Sequence, residues 1–282
     1  MYTFVIGSVL GLTLVLGGAF SSAPARAGET ALDLGALSAR GVMPAAVEVT
    51  TGDDIVYGGA KRYEGYRLRD LLGGIEDLEA LRAAGAEIVF TAEDGYVATM
   101  ALDDALAADG VVAFRDLDAP VGADWKTFKQ GKTTTTPAPF YLVWPNQDPD
   151  DWAYPWPYQL ATIAVEPFAA RFGRAVPMGG DAAVREGFYV FKTYCLKCHS
   201  VNLAGGDLGP ELNVPRSVTE YRDRAVLKGF IHDIASYRAA SKMPSFAELV
   251  TAEEVDRVLD YLTHMAAQKI CQDAAACDAA AE

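Results

Sequence analysis

The chain has 282 residues, a formal charge of −14 and 51% hydrophobic residues. That length holds two ordinary domains. The acidity argues against a nucleic-acid ligand, which selects basic surfaces, and leaves two uses: solubility or steering of a basic protein partner.

Residues 4–20 carry no charge and are followed by small residues ending in Ala25-Arg26-Ala27. This is the pattern of an export signal over residues 1–27, although the usual basic start is missing. A retained membrane anchor is the alternative, since about 17 apolar residues is the lower limit for a span. Either way the bulk of the chain is expected outside the cytoplasm, in the periplasm.

Residues 28–168 read as an α+β, β-rich domain. Residues 87–91, 111–114, 140–144 and 160–165 are short, apolar and β-favouring. Residues 95–100 resume after Glu93-Asp94-Gly95, a hairpin signal. Residues 68–72 and 78–84 suggest short helices. Lys126, Lys129 and Lys132, beside a run of threonines, read as a solvated loop. Residues 144–158 hold three of the four tryptophans together with Asp148, Asp150 and Asp151. Aromatics beside charge suit an interface; the other reading is that the rings staple a long Pro-rich loop to the protein itself.

Residues 166–181 mix Pro and Gly after a strand-like run and mark a linker, placed at 169–180. All four cysteines follow it. From residue 181 to 270 the pattern turns helical. Val184, Phe188, Phe191 and Cys195 share one helix face. Ser217-x-x-Glu220 and Thr251-x-x-Glu254 are capping boxes. Val226, Leu227, Phe230, Ile231 and Ile234 form the apolar stripe after the first box. Val255, Val258, Leu259, Leu262 and Met265 form the stripe after the second.

The first stripe leads into Cys195-Leu196-Lys197-Cys198-His199. C-x-x-C-H is the attachment signature of a c-type haem. Two thiols three residues apart lie on one side of a helical turn, and the next residue offers an imidazole to the iron. The sixth ligand is expected to be Met243, in the loop Ser241-Lys242-Met243-Pro244-Ser245, where Pro244 holds the backbone extended. His232 and His264 fall off the apolar stripes and read as surface side chains. Met265 reads as core. Counting Cys195, Cys198, Cys271 and Cys277 as a zinc set is the competing reading, but the last two sit in an Ala-rich tail, residues 271–282. Outside the cytoplasm they are expected to form a disulfide.

Gly187, Phe188 and Phe191, Gly209-Pro210, Met243-Pro244 and Tyr261-Leu262 together resemble an all-α class I monohaem cytochrome c over about residues 181–269. The resemblance implies that the first and last helices cross at Gly187 and Tyr261, and that Pro210 shapes the environment of His199. It further implies one covalent haem c on Cys195 and Cys198, with His199 proximal and Met243 distal. Two protein ligands leave no position for substrate, which points to electron transfer rather than catalysis.

In the first half, Gly65-Tyr66-Arg67-Leu68-Arg69-Asp70-Leu71-Leu72, Asp94-Gly95-Tyr96 and Leu102-Asp103-Asp104-Ala105-Leu106 resemble sulfite-oxidase-like molybdopterin-binding domains. That family holds molybdenum through a cysteine thiolate. Residues 28–180 contain no cysteine and no histidine, and carboxylates do not replace a soft thiolate. No molybdenum cofactor is therefore expected, and the half reads as a docking module for a dehydrogenase, cytochrome or oxidase. A sulfite- or thiol-oxidising enzyme and a structural adaptor with an inert haem are the alternatives. A membrane contact is expected only if the leader is retained.

Overall fold

Ile88-Val89-Phe90 is a run of three apolar residues in a strand, so both of its faces must be covered. The computed structural model, which describes residues 30–130, 133–238, 241–272 and 277, shows what covers them. The strand Glu87–Ala92 lies inside an antiparallel sheet ordered Ala31–Asp33, Leu160–Glu166, Glu87–Ala92, Val97–Ala101. Ile88, Phe90 and Ile163 point into a first core shared with Leu34, Tyr63 and Trp144. Val89, Val97 and Ala164 belong to a second core with Phe172, Phe188, Phe191 and Tyr261. One sheet thus serves both halves of the chain.

A second antiparallel sheet runs Ala46–Thr51, Lys61–Arg67, Val111–Asp116, Tyr141–Val143 and closes the first core from its other side. Helices Leu68–Leu72 and Leu78–Ala83 fall where the sequence places them. The strands Ala46–Thr51 and Lys61–Arg67 and the helix Leu34–Ala39 are additions. Phe128–Gln130 pairs with Thr133–Thr135 in a two-stranded ribbon rather than an irregular loop. Lys126 and Lys129 are exposed on it. Lys132 and the leader, residues 1–27, lie outside the described residues. Among the described residues no helix is long and apolar enough to cross a membrane.

The stretch expected as a linker is folded. Phe168–Phe172 is a helix, Gly173–Ala175 a tight turn, and Phe172 and Ala175 are fully buried in the second core. Two main-chain bonds also cross between the halves, from Val97 N–H to the Lys197 carbonyl at 2.8 Å and from Asp207 N–H to the Gly95 carbonyl at 3.0 Å. Gly95 has φ +88°, and a Cβ there would strike the Asp207 carboxylate. Lys192 adds an ion pair to Glu87 at 2.6 Å. The pieces on either side of residues 169–180 are therefore packed together, not tethered.

The tryptophans of residues 144–158 act as staples. Trp144 is buried and donates from Nε1 to the Pro155 carbonyl at 2.7 Å. Trp156 is buried beside Tyr141, ring centroids 6.2 Å apart. Trp152 reaches across to the C-terminal half, 5.3 Å from Tyr194. Asp148, Asp150 and Asp151 stay exposed.

The C-terminal half is helical: Ala182–Val190, Val218–Tyr221, Arg224–His232 and Ala252–Ala266. Both capping boxes form. The first, however, caps a single turn. The backbone is extended again at Arg222, and a new helix starts after Asp223. The stripe Leu227, Phe230, Ile231 and Ile234 lies on this second piece and its continuation and faces a cavity.

Candidate functional site

The first helix starts at Asp181, whose carboxylate accepts from Val184 N–H at 3.0 Å. It ends in a wide turn, Phe191–Cys195, closed by Leu196 N–H to the Phe191 carbonyl at 2.9 Å. The Cys195 carbonyl then accepts from Cys198 N–H at 3.0 Å and His199 N–H at 2.9 Å. This compact turn brings both sulfurs and the imidazole to one wall of a cavity of about 600 Å³. Met243 lines the same cavity, half-buried, with its N–H donating to Ser241 Oγ at 3.1 Å.

His199 Nδ1 lies 2.8 Å from the Pro210 carbonyl. A carbonyl can only accept, so Nδ1 carries the proton and Nε2 keeps its lone pair for a metal. Burial lowers the His199 pKa, which also favours the neutral ring. Gly209 lies flat on this imidazole: a Cβ there would come within 2.5 Å of His199 Cε1. The Gly209-Pro210 pair therefore provides both a close backbone approach and the acceptor. Burial pushes the thiols of Cys195 and Cys198 up to about 12 and about 11. Without a bound group, their environment keeps them as neutral thiols.

The rest of the lining is mainly apolar, including Phe191, Leu227, Phe246 and Leu262. Among the described residues its charged members are Arg222, Arg238 and Lys242, with no carboxylate, in a chain of net charge −14. A haem presents an apolar disc and two carboxylates, and needs two thiols, a nitrogen donor and a second axial donor. The residues around this cavity match that set.

The helices Ala182–Val190 and Ala252–Ala266 cross at Gly187 and Tyr261, where a Cβ on Gly187 would sit 1.9 Å from the Arg257 carbonyl oxygen and 3.0 Å from Tyr261 Cβ. Tyr261 packs against Phe188 and Phe191 at 5.5 and 5.1 Å. Its hydroxyl donates to the Ala175 carbonyl at 2.6 Å. Tyr261→Phe leaves that buried carbonyl unpaired, and we expect a loss of about 1–3 kcal/mol in denaturant unfolding. An unchanged midpoint would show that the bond contributes nothing.

His232 and His264 do not line the cavity. The ring of His264 is held by Gln268 Nε2 at 2.8 Å and lies 3.2 Å from the Met178 carbonyl. Met265 is core. Cys271 and Cys277 are joined in a disulfide with Cα atoms 5.9 Å apart. Among the described residues no group of three or more His, Cys, Asp or Glu side chains is placed to hold a metal ion.

Two polar groups escape the sequence reading, the buried Asn202 and the half-buried Glu211. Asn202 donates to the Arg174 and Gln268 carbonyls at 3.0 and 2.8 Å and accepts from Asn213 at 2.8 Å and from Ile270 N–H at 3.0 Å. The Glu211 carboxylate accepts from the N–H groups of Asn202, Leu203, Asn213 and Val214. Together they fix the loop that carries Pro210. Only a polar residue lacking a loop rationale could have marked them, and single residues in a Gly-rich loop do not stand out.

This architecture, with two thiols, a tautomer-fixed imidazole and a thioether on one apolar cavity, defines a cytochrome c domain. A domain of this type supports a haem-containing electron-transfer protein and implies haem c. More particularly, residues 182–262 match the family model of cytochrome c oxidase, cbb3-type, subunit III. No curated protein matches the chain.

Proposed function

We propose that the protein is an exported carrier of single electrons with one haem. Cys195 and Cys198 would hold the haem through thioethers, and His199 and Met243 would ligate its iron. A bound haem supplies a one-electron iron couple. The observation that carries this reading is the His199 Nδ1–Pro210 bond of 2.8 Å, which frees Nε2 toward the cavity that both cysteines and Met243 share. With His199 and Met243 both ligating, the metal would have no position left for substrate. The apolar wall excludes water, and a thioether ligand raises the potential relative to a second imidazole. Arg222, Arg238 and Lys242 balance the carboxylates of the cofactor.

The N-terminal half serves as a docking module, a relative of the sulfite-oxidase-like fold without the thiolate that molybdenum chemistry requires. Its exposed carboxylates suit a basic redox partner. The matched family is described as an oxidase subunit, which favours a terminal oxidase among the acceptors.

Expression in a host that matures c-type cytochromes tests the reading. The intact mass is expected to include one haem, lost in Cys195→Ala/Cys198→Ala. The ferric protein should show the far-red methionine–iron absorption band, lost in Met243→Ala together with a fall in midpoint potential. Absence of covalent haem, or of that band from the wild type, overturns the ligand assignment. Stoichiometric molybdenum in the purified protein overturns the carrier reading in favour of sulfite or thiol oxidation.

A further inference from the structure

Trp152 belongs to the N-terminal half, yet it is half-buried against the core of the C-terminal half. The indole is 5.3 Å from the Tyr194 ring and 6.0 Å from the Phe246 ring, and these two are 6.3 Å from each other. The Lys197 ammonium lies 4.9 Å over the indole and donates to the Trp152 carbonyl at 3.0 Å. Lys197 is buried, and among the described residues no carboxylate is within ion-pair distance of it. A buried ammonium is costly unless it is hydrogen-bonded, so this contact is held firmly.

The three partners are not scattered. Tyr194 adjoins Cys195, Lys197 lies between Cys195 and Cys198, and Phe246 lies three residues beyond Met243. Tyr194 and Phe246 both line the haem cavity. Tyr194 also lines a cleft of about 550 Å³ between the two halves, together with Trp152 and Lys197. Trp152 is presented on a turn closed by Asp151 N–H to the Asp148 carbonyl at 3.0 Å and Tyr154 N–H to the Asp151 carbonyl at 3.0 Å. Tyr154 in turn packs on the buried Trp144 at 5.5 Å. The indole is therefore a fixed post that touches the cysteine segment and the methionine loop at once.

We infer that Trp152 is a positioning residue for the sixth ligand, through which the N-terminal half sets the strength of Met243 ligation and the potential of the haem. This rests on the proposed ligand set. A neutral thioether is a weak ligand. It holds its place because its loop is tethered close by, which gives it a high effective concentration against any competitor. Trp152 fixes the spacing between the segment that carries the haem and the loop that carries the thioether. Without the indole the loop samples more positions and an external ligand competes better.

The test is a titration of the ferric holoprotein with imidazole, which competes for the sixth position, alongside a spectroelectrochemical midpoint. Trp152→Ala is expected to bind imidazole about tenfold more tightly, from the loss of two aromatic contacts and a cation–π contact, and to have a lower midpoint potential. Trp152→Phe, which keeps a shorter ring and is the variant to use if alanine impairs folding, should fall between. Trp125→Phe alters the N-terminal core beside Tyr63, away from this turn, and should leave both readings at the wild-type value. Wild-type imidazole affinity and potential in both Trp152 variants would overturn the inference while leaving the ligand set intact. So would an equal change in Trp125→Phe. Absence of the far-red band from the wild type would overturn the ligand set itself and the inference with it.

Discussion

Gly187→Val is expected to disrupt the C-terminal half. Even the first carbon of the new side chain would lie 1.9 Å from the Arg257 carbonyl oxygen and 2.4 Å from the Arg257 carbonyl carbon. Both atoms are main chain of the facing helix, so no rotamer change relieves the overlap. The helices must separate, and Tyr261 and the aromatic contacts to Phe188 and Phe191 move with them. Overpacking costs typically about 1–3 kcal/mol where side chains can yield. Here they cannot, so the loss should reach or exceed the top of that range. Against a total of about 5–15 kcal/mol for a typical protein, that removes about a fifth or more of the stability and should lower the melting temperature by several degrees. Thermal unfolding followed by circular dichroism checks this, with Gly187→Ala as the milder member of the pair. A melting temperature unchanged in both would mean that the crossing is looser than the geometry shows.

The second large effect lies in the other half. Lys61 Nζ reaches both oxygens of Asp116, at 2.7 and 2.8 Å, and the two side chains are only 8% and 0% exposed. Asp116 also accepts from Asp118 N–H at 2.9 Å. Lys61→Met removes the cation and leaves a carboxylate in the interior, which should cost about 3–5 kcal/mol. The pair itself is worth far less than that, because burying two charges consumes most of their attraction. The double variant Lys61→Met/Asp116→Leu is therefore expected to recover most of the loss. Urea unfolding of the three proteins decides it. A double variant as unstable as Lys61→Met would show that the harm comes from packing and not from the orphaned charge.

How much of this was legible in the sequence depends on the range of the interactions involved. The strand Glu87–Ala92 and the strand Leu160–Glu166 are apolar at consecutive positions, and such runs announce themselves. The strands Ala46–Thr51 and Lys61–Arg67 do not. The first is an edge strand with alternate positions in solvent. The second opens with Lys-Arg, and its lysine is buried only because Asp116, 55 residues away, is there to meet it. Local periodicity cannot see that pairing.

The haem site divides the same way. Cys195, Cys198 and His199 lie within five residues, so the proposed attachment site is visible in one motif. Met243 is proposed from its loop and the proline behind it, and it lines the same cavity. Gly187, Tyr261 and Pro210 came from resemblance, and the structure supplies a physical reason for each: a backbone crossing, a buried hydroxyl bond and a carbonyl that sets a tautomer. Trp152 was read as one aromatic in a loop with two alternative uses, because its partners lie 42 to 94 residues further along the chain. The folding of residues 168–175 is hidden from the sequence for a related reason. Pro and Gly mark breaks in regular structure, but Phe172 and Ala175 are buried by surfaces the local sequence does not contain.

The sheet with apolar residues on both faces also bears on how this chain can be taken apart. A cut anywhere in residues 169–180 would not release two independent modules. It would strip Val89, Val97 and Ala164 of their cover on one fragment and Phe188 and Phe191 on the other, each an adhesive patch in water. A gene fusion held by a flexible tether can be undone by a stop codon. One sealed by a shared core cannot, and the N-terminal half is in that sense part of the cytochrome rather than its passenger.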